Sequence, residues 1–185
     1  MFELKLFKSK MKQYKATTRS STISNAFAAA LAPADAFNEH ELVEALKVLG
    51  QDSRLGLICV YCGKEAQSID HLHSLVNNKK FSGHGHVLGN LVPACKKCNE
   101  SKGSKPWESF ARAKGVSADQ IARIAKYSEL APEPTNEDEL RELYPDLMAA
   151  YERLKHQAQD LLKVADHLAN EIHRLEAKRL KRKLG

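Results

Sequence analysis

Four cysteines, all that the chain has, fall in two pairs of one spacing: Cys59-Val-Tyr-Cys62 and Cys95-Lys-Lys-Cys98. Two intervening residues let a tight turn present both sulfurs of a pair to one ion, and thiolates suit zinc, which takes four ligands tetrahedrally. Gly63 follows the first pair, where such a knuckle needs its sharp turn. Cysteines this close make poor structural disulfide partners and nothing else speaks for secretion, so a reduced compartment and a metal site fit better. Buried free cysteines or an iron–sulfur cluster are the remaining readings. Four thiolates fill the shell and leave no open position for substrate, so zinc here is structural and any catalysis lies elsewhere. A segment of about 50 residues buries little apolar area, and the metal supplies folding energy that its core lacks.

The 32 residues between the pairs, and those just after them, carry the other chemistry-bearing side chains. These are the adjacent Asp70 and His71, then Asn90, then Asn99 beside Cys98, with Lys102 three residues on. Singly, each has an ordinary reading: an Asp-His pair as a surface hydrogen-bonding feature, Asn90 after Gly89 as a turn residue, Asn99 as a helix cap. Their joint placement inside a two-knuckle frame is harder to attribute to accident. An imidazole accepts a proton near neutral pH. Lys96, Lys97, Lys102 and Lys105 follow closely and suit contact with phosphate.

The segment from about 57 to 108 resembles the HNH endonuclease family, whose core is the ββα-metal fold. The resemblance rests on Cys59-Val-Tyr-Cys62-Gly63, on Ile69-Asp70-His71-Leu72, and on the run from Gly89-Asn90-Leu91-Val92-Pro93 through Cys98-Asn99-Glu100-Ser101-Lys102-Gly103. It does not extend to the first 50 residues or to the C-terminal helices. It implies that His71 is a general base, that Asp70 is a ligand of a catalytic divalent cation, and that Asn90 steadies the loop bearing the histidine. Asn99 falls at the last letter of the motif, which is histidine in the name-giving pattern and asparagine in many members. An amide oxygen beside the Asp70 carboxylate makes a hard-oxygen site that favours magnesium or manganese. Neighbouring residues of a regular strand point to opposite faces, so convergence of Asp70 and His71 requires the strand to end or distort there. Lys102, on one helix face with Asn99, is expected to meet the phosphate. His73, His84 and His86 read as exposed polar loop residues, and Trp107 as the anchor of the next helix.

The elements that must hold these groups are legible in outline. Asn38 with Glu41 three residues later opens a helix that Gly50 closes, with Leu42, Val43, Leu46 and Leu49 as its apolar stripe. An earlier short helix spans 25–32, stopped at Pro33. Strands are expected over 55–60, 68–72 and 90–94, with a long polar loop up to Gly89 and a helix from the second cysteine pair to about Lys102. Helices follow over 107–114 and 117–127, the second capped by Ser117. Residues 131–135 read as a linker. Pro145 then opens a helix to about Lys183, near 55 Å long at about 1.5 Å per residue. Along it Leu147, Leu154, Leu161, Leu168 and Leu175 recur every seven residues, with Tyr151, Ala158, Ala165, Ile172 and Arg179 as companions. That pattern suits a coiled-coil seam and a homodimer; packing against the chain's own helices is the equal alternative.

The fold class expected is therefore α+β and mainly helical, a small ββα-metal zinc module flanked by helices. The divisions are a basic arm at 1–20, a helical segment at 21–54, the nuclease module at 55–108 and a helical region at 109–185. The net charge of +6 suits a polyanionic partner, and the resemblance implies that this partner is DNA. The charge concentrates in an arm with Lys5, Lys8, Lys10, Lys12, Lys15 and Arg19 and in a tail with Arg174, Lys178, Arg179, Lys181, Arg182 and Lys183. No apolar run approaches the roughly 18 residues a membrane span needs, and a cytoplasmic location is expected. Restriction, defence, homing, packaging and general degradation are all compatible with a nuclease of this kind. The reading from another class is a non-catalytic zinc-knuckle module for nucleic acid or protein.

Overall fold

The computed structural model describes residue 11 and residues 13–184. Lys5, Lys8, Lys10 and Lys12 of the basic arm, and the side chain of Lys183 in the tail, lie outside the described residues. Those described form a mainly helical α+β fold. In chain order the elements are α1 (Ser20–Ala29), α2 (Glu39–Val48), β1 (Ser68–His71), β2 (Val76–Asn77), β3 (Lys80–Phe81) and β4 (Leu91–Ala94). Then come α3 (Lys96–Lys102), α4 (Trp107–Ala113), α5 (Ala118–Ser128), α6 (Glu137–Leu143) and α7 (Pro145–Leu184). The chain divides into two compact units, one joining the N-terminal segment through Phe27 with the chain from Asp146 on, the other spanning Ala28–Pro145.

In the second unit, β1 pairs antiparallel with β4, setting Asp70 opposite Val92 and His71 opposite Leu91. Helix α3 follows β4 directly and packs on β1, so strand, strand and helix stand in ββα order. Helices α2, α5 and α6 start where side chains satisfy their free N–H groups. Asn38 accepts from Glu41 N–H, Ser117 from Gln120 N–H, and Asn136 with Glu139 forms a reciprocal capping box. Helices α2, α4 and α5 bring Leu46, Leu49, Trp107, Phe110, Ile124 and Tyr127 into one core with Val60, Leu72 and Val92. Trp107, 3% exposed, does anchor α4 there.

Three expectations are corrected. No strand forms over 55–60; a 3₁₀ turn at Ser53–Leu55 leads into the first knuckle. The Gln51 side chain takes up both backbone groups of Ile58, accepting its N–H at 2.9 Å and donating to its carbonyl at 3.1 Å, and Ile58 meets Glu65 in an isolated bridge rather than a strand. The loop before Gly89 contains the β2–β3 hairpin, turned by Asn78 and Lys79, both at positive φ. The linker at 131–135 is followed by α6, whose buried Glu137 accepts the Phe81 N–H at 2.8 Å and so holds that hairpin.

In the first unit α7 runs 40 residues, about 60 Å. Its Tyr151 and Gln159 meet Phe27 and Ser24 of α1, an earlier start for α1 than the 25–32 expected. Among the described residues no helix is long and apolar enough to cross a membrane.

Candidate metal centre and active site

The first knuckle is a hydrogen-bonded turn. Cys59 N–H donates to the Lys64 carbonyl at 2.6 Å, and Gly63 N–H to the Cys59 carbonyl at 2.9 Å. Gly63 has φ +69°, which glycine adopts without strain. The second pair sits at the start of α3, where Cys95 is the N-cap and its sulfur accepts the Cys98 N–H at 3.4 Å. That bond draws the Cys95 thiol down to about 7, while burial pushes the Cys59 and Cys98 thiols up. The four sulfurs lie within 4.8 Å of one another, with Cys62 and Cys95 3.7 Å apart. Zinc–sulfur bonds of about 2.3 Å in a tetrahedron require an edge of about 3.8 Å. The cluster fits zinc, which would hold all four as thiolates and join β4 and α3 to the knuckle at 59–62.

Strand β1 stays regular through His71, and Asp70 and His71 therefore point to opposite faces. Asp70 is 4% exposed and faces inward. Its carboxylate accepts the Tyr61 hydroxyl at 2.8 Å and pairs with the Lys102 ammonium at 3.4 Å. Lys102 is itself 1% exposed, and its ammonium also donates to the His71 carbonyl at 2.6 Å. Burial raises the Asp70 carboxyl, with Tyr61 and Lys102 working against that rise. Lys102 was expected at a phosphate; it lies beneath the site instead, because the turn of α3 that follows Cys98 packs onto β1. Lys96, Lys97 and Lys105 are exposed.

The two asparagines are engaged with backbone. Asn90 is 1% exposed; it accepts the His73 N–H at 2.7 Å and donates to the carbonyls of His73 at 3.1 Å and Gly85 at 2.8 Å. It thus ties the end of β1 to the glycine-rich loop. Asn99 donates to the Ile69 carbonyl at 3.1 Å and the Ser68 hydroxyl at 3.2 Å, bracing α3 on β1. A second cation needs free oxygens, and the Asp70 carboxylate is buried with two donors upon it. As placed, Asp70 and Asn99 do not form an open oxygen pair for magnesium or manganese.

On the outer face the histidines meet in two pairs. His71 Nε2 lies 3.0 Å from His86 Nδ1. The rings of His73 and His84 stack at 4.3 Å, 15° from parallel. Both pairs join the β1 end to the loop across Asn90. Burial first, then His86 and Lys102, lower the His71 imidazole to about 4, so it is neutral at physiological pH. Burial lowers His73 and His84 as well. The loop is held from behind at its glycines: a Cβ on Gly85 would collide with the Pro33 carbonyl, and one on Gly89 with the Ala131 backbone. His86 N–H donates to that Pro33 carbonyl at 2.8 Å.

The sequence reading missed Tyr61 as a partner of Asp70 and undervalued His86. A signal existed for the second: His71 and His73, like His84 and His86, are two residues apart, the spacing of side chains sharing one face of paired extended segments.

A zinc-knuckle frame around a ββα core with an Asp-His strand end is the arrangement on which a family model falls. Residues 59–105 match the HNH endonuclease family. The HNH module thus covers both knuckles, β1, β4 and α3, and ends before α4. Comparison with curated proteins gives no match, and neither does comparison with solved structures.

Proposed function

We propose that the HNH module is an endonuclease that hydrolyses phosphodiester bonds in DNA, with His71 as the proton acceptor. The observation that carries this is the His71–His86 pair: two imidazole nitrogens 3.0 Å apart, on the outer face of β1, share one hydrogen. Water taking the place of His86 meets a neutral nitrogen able to accept its proton as it attacks phosphorus; the bond from phosphorus to the departing sugar oxygen breaks, and that oxygen takes a proton from solvent. Asn90 sets the position of that imidazole by fixing the residue two places on, and the family match supports the same assignment. Exposed Lys96, Lys97 and Lys105 lie along and beyond α3, where contact with the phosphate backbone gives affinity without base selection. Zinc on the four cysteines holds the frame. Asp70, Tyr61 and Lys102 support β1 from beneath, and Asn99 braces it.

One observation favours a second reading. With Asp70 closed under Lys102 and Tyr61, the module has the form of a non-catalytic zinc-knuckle unit that binds nucleic acid without cutting it. Incubation of the zinc-loaded full chain with supercoiled plasmid, single-stranded DNA and RNA, without and with added magnesium or manganese, separates the two. Nicking or linearisation of plasmid supports the endonuclease. Retarded mobility of intact substrates under every condition supports the binding module and overturns the first reading.

A further inference from the structure

Helix α7 presents two different faces. One is occupied within its own unit. Tyr151 packs on Phe27 with ring centroids 5.2 Å apart and donates its hydroxyl to the Phe27 carbonyl at 2.8 Å. Gln159 donates to the Ser24 hydroxyl at 2.9 Å, and Asp166 accepts from Thr17 N–H and hydroxyl at 3.2 and 2.7 Å. Gln13 donates to Asn170 at 2.8 Å. The N-terminal segment therefore covers the side of α7 that carries Tyr151, Gln159, Asp166 and Asn170.

The leucine row lies round the helix from Gln159, Asp166 and Asn170 and is uncovered, with Tyr151, a companion of the row in sequence, at its covered edge. Leu147 is 72% exposed, Leu161 68%, and Leu154, Leu168 and Leu175 each 56%. Val164 at 54% and Ile172 at 61% lie beside them and widen the row. A straight helix drifts about 20° per seven residues, so a strict seven-residue repeat follows a helix wound round it rather than a flat surface. The row from Leu147 to Leu175 is about 42 Å long at about 1.5 Å per residue. The other helices run 7 to 11 residues, at most about 17 Å, too short to cover it. A second α7 has both the length and the matching repeat.

We infer that α7 is the seam of a homodimer, with the two copies of the helix antiparallel about Leu161. The leucines are symmetric about that residue: Leu154 and Leu168 lie seven positions from it, Leu147 and Leu175 fourteen. An isologous two-fold contact requires such self-complementarity. Charge selects the direction. The end of α7 from Glu171 on carries Arg174, Lys178, Arg179, Lys181 and Arg182, and its acids Glu171 and Glu176 are taken by Arg174 and Arg179. Parallel helices would set these basic ends side by side. Antiparallel ones about Leu161 separate the two basic ends by the length of the row, Arg174 falling opposite the other copy's Met148 and the residues from Lys178 on lying past its Pro145. This inference stands apart from the nuclease reading, since none of the seam residues belongs to the HNH module.

Light scattering of the zinc-loaded full chain at tens of micromolar tests it. The expected mass is twice 20.7 kDa, falling to 20.7 kDa in Leu161→Glu/Leu168→Glu, with helix content by circular dichroism and zinc content unchanged. A wild-type mass of 20.7 kDa, or of three or more copies, overturns the two-helix seam. A monomer that gains mass only with a different protein overturns it equally. Direction is read by electron–electron distance between nitroxides on Leu175→Cys, with unsubstituted protein controlling for labelling of the zinc cysteines. About 42 Å is expected for antiparallel helices and about 10 Å for parallel ones, and the short distance overturns the arrangement.

Discussion

Replacing Lys102 by methionine tests the buried pair beneath the outer face of β1. Methionine keeps most of the apolar stem and removes the ammonium, leaving the Tyr61 hydroxyl, at 2.8 Å, on the Asp70 carboxylate. Lys102 is 1% and Asp70 5% exposed at the side chain, so solvent screens neither. Removing one member of a buried ion pair costs about 3–5 kcal/mol, because the other charge stays behind uncompensated. The contact to Asp70 is long at 3.4 Å, which places the cost near the lower end, about 3 kcal/mol. A chain of this length loses about 2–4 °C of Tm per kcal/mol, so Lys102→Met melts about 6–12 °C below wild type by calorimetry in zinc-saturated buffer. Asp70→Asn in the same background removes the stranded charge while its amide still accepts from Tyr61, and recovers at least half of the loss. A single variant melting within about 2 °C of wild type, or a double variant no more stable than the single, would refute the pairing.

Other outcomes follow from the same geometry. Purified protein carries one zinc per chain by elemental analysis; Cys98→Ser loses it, and chelation unfolds the Ala28–Pro145 unit as seen by near-UV circular dichroism, since metal and folding energies are one quantity here. The His71 ring protons, followed by NMR, titrate near 4 rather than near 6.5. As the folded value lies below the unfolded one, His71 takes stability away as pH falls from about 6.5 to 4 and contributes nothing above that window. Any cleavage should persist into mild acid for the same reason, and a His71 midpoint above 6 contradicts it. Asn90→Ala leaves the His73 N–H and two carbonyls unpartnered, and hydrogen exchange at His73 and Gly85 should rise at least tenfold with a loss of about 2–3 kcal/mol. Unchanged exchange at both would remove Asn90 from its role as the loop's tie.

The zinc frame was legible because its chemistry is local: two residues between cysteines dictate a knuckle whatever surrounds it. Caps at Asn38 and Ser117 were legible for the same reason. The capping box at Asn136 and Glu139 was equally local, but the reading passed from the linker at 131–135 to Pro145 without it. What sequence spacing could not give was the partnership of Asp70. Tyr61 lies 9 residues away and Lys102 32; the packing of α3 on β1 brings Lys102 to the carboxylate, and the knuckle held beside β4 brings Tyr61. Strand alternation did warn that Asp70 and His71 diverge unless β1 distorts, and β1 does not distort. The β2–β3 hairpin depends on Glu137, 56 residues on, accepting from Phe81. The unit joining α1 to α7 is built from both ends of the chain, a grouping invisible to any division by sequence position. The leucine repeat was plain, yet which face the chain covers for itself became known only from the Tyr151, Gln159 and Asp166 contacts.

Cleavage by wild type and His71→Ala, compared side by side on supercoiled plasmid, tests the account most directly. Both proteins should carry one zinc, melt alike and retard DNA alike. The account predicts nicked and linear product with the wild type and a loss of at least a hundredfold in rate with His71→Ala, the scale on which a positioned general base acts. Equal cutting by the two proteins, or none by either with zinc in place, would contradict it.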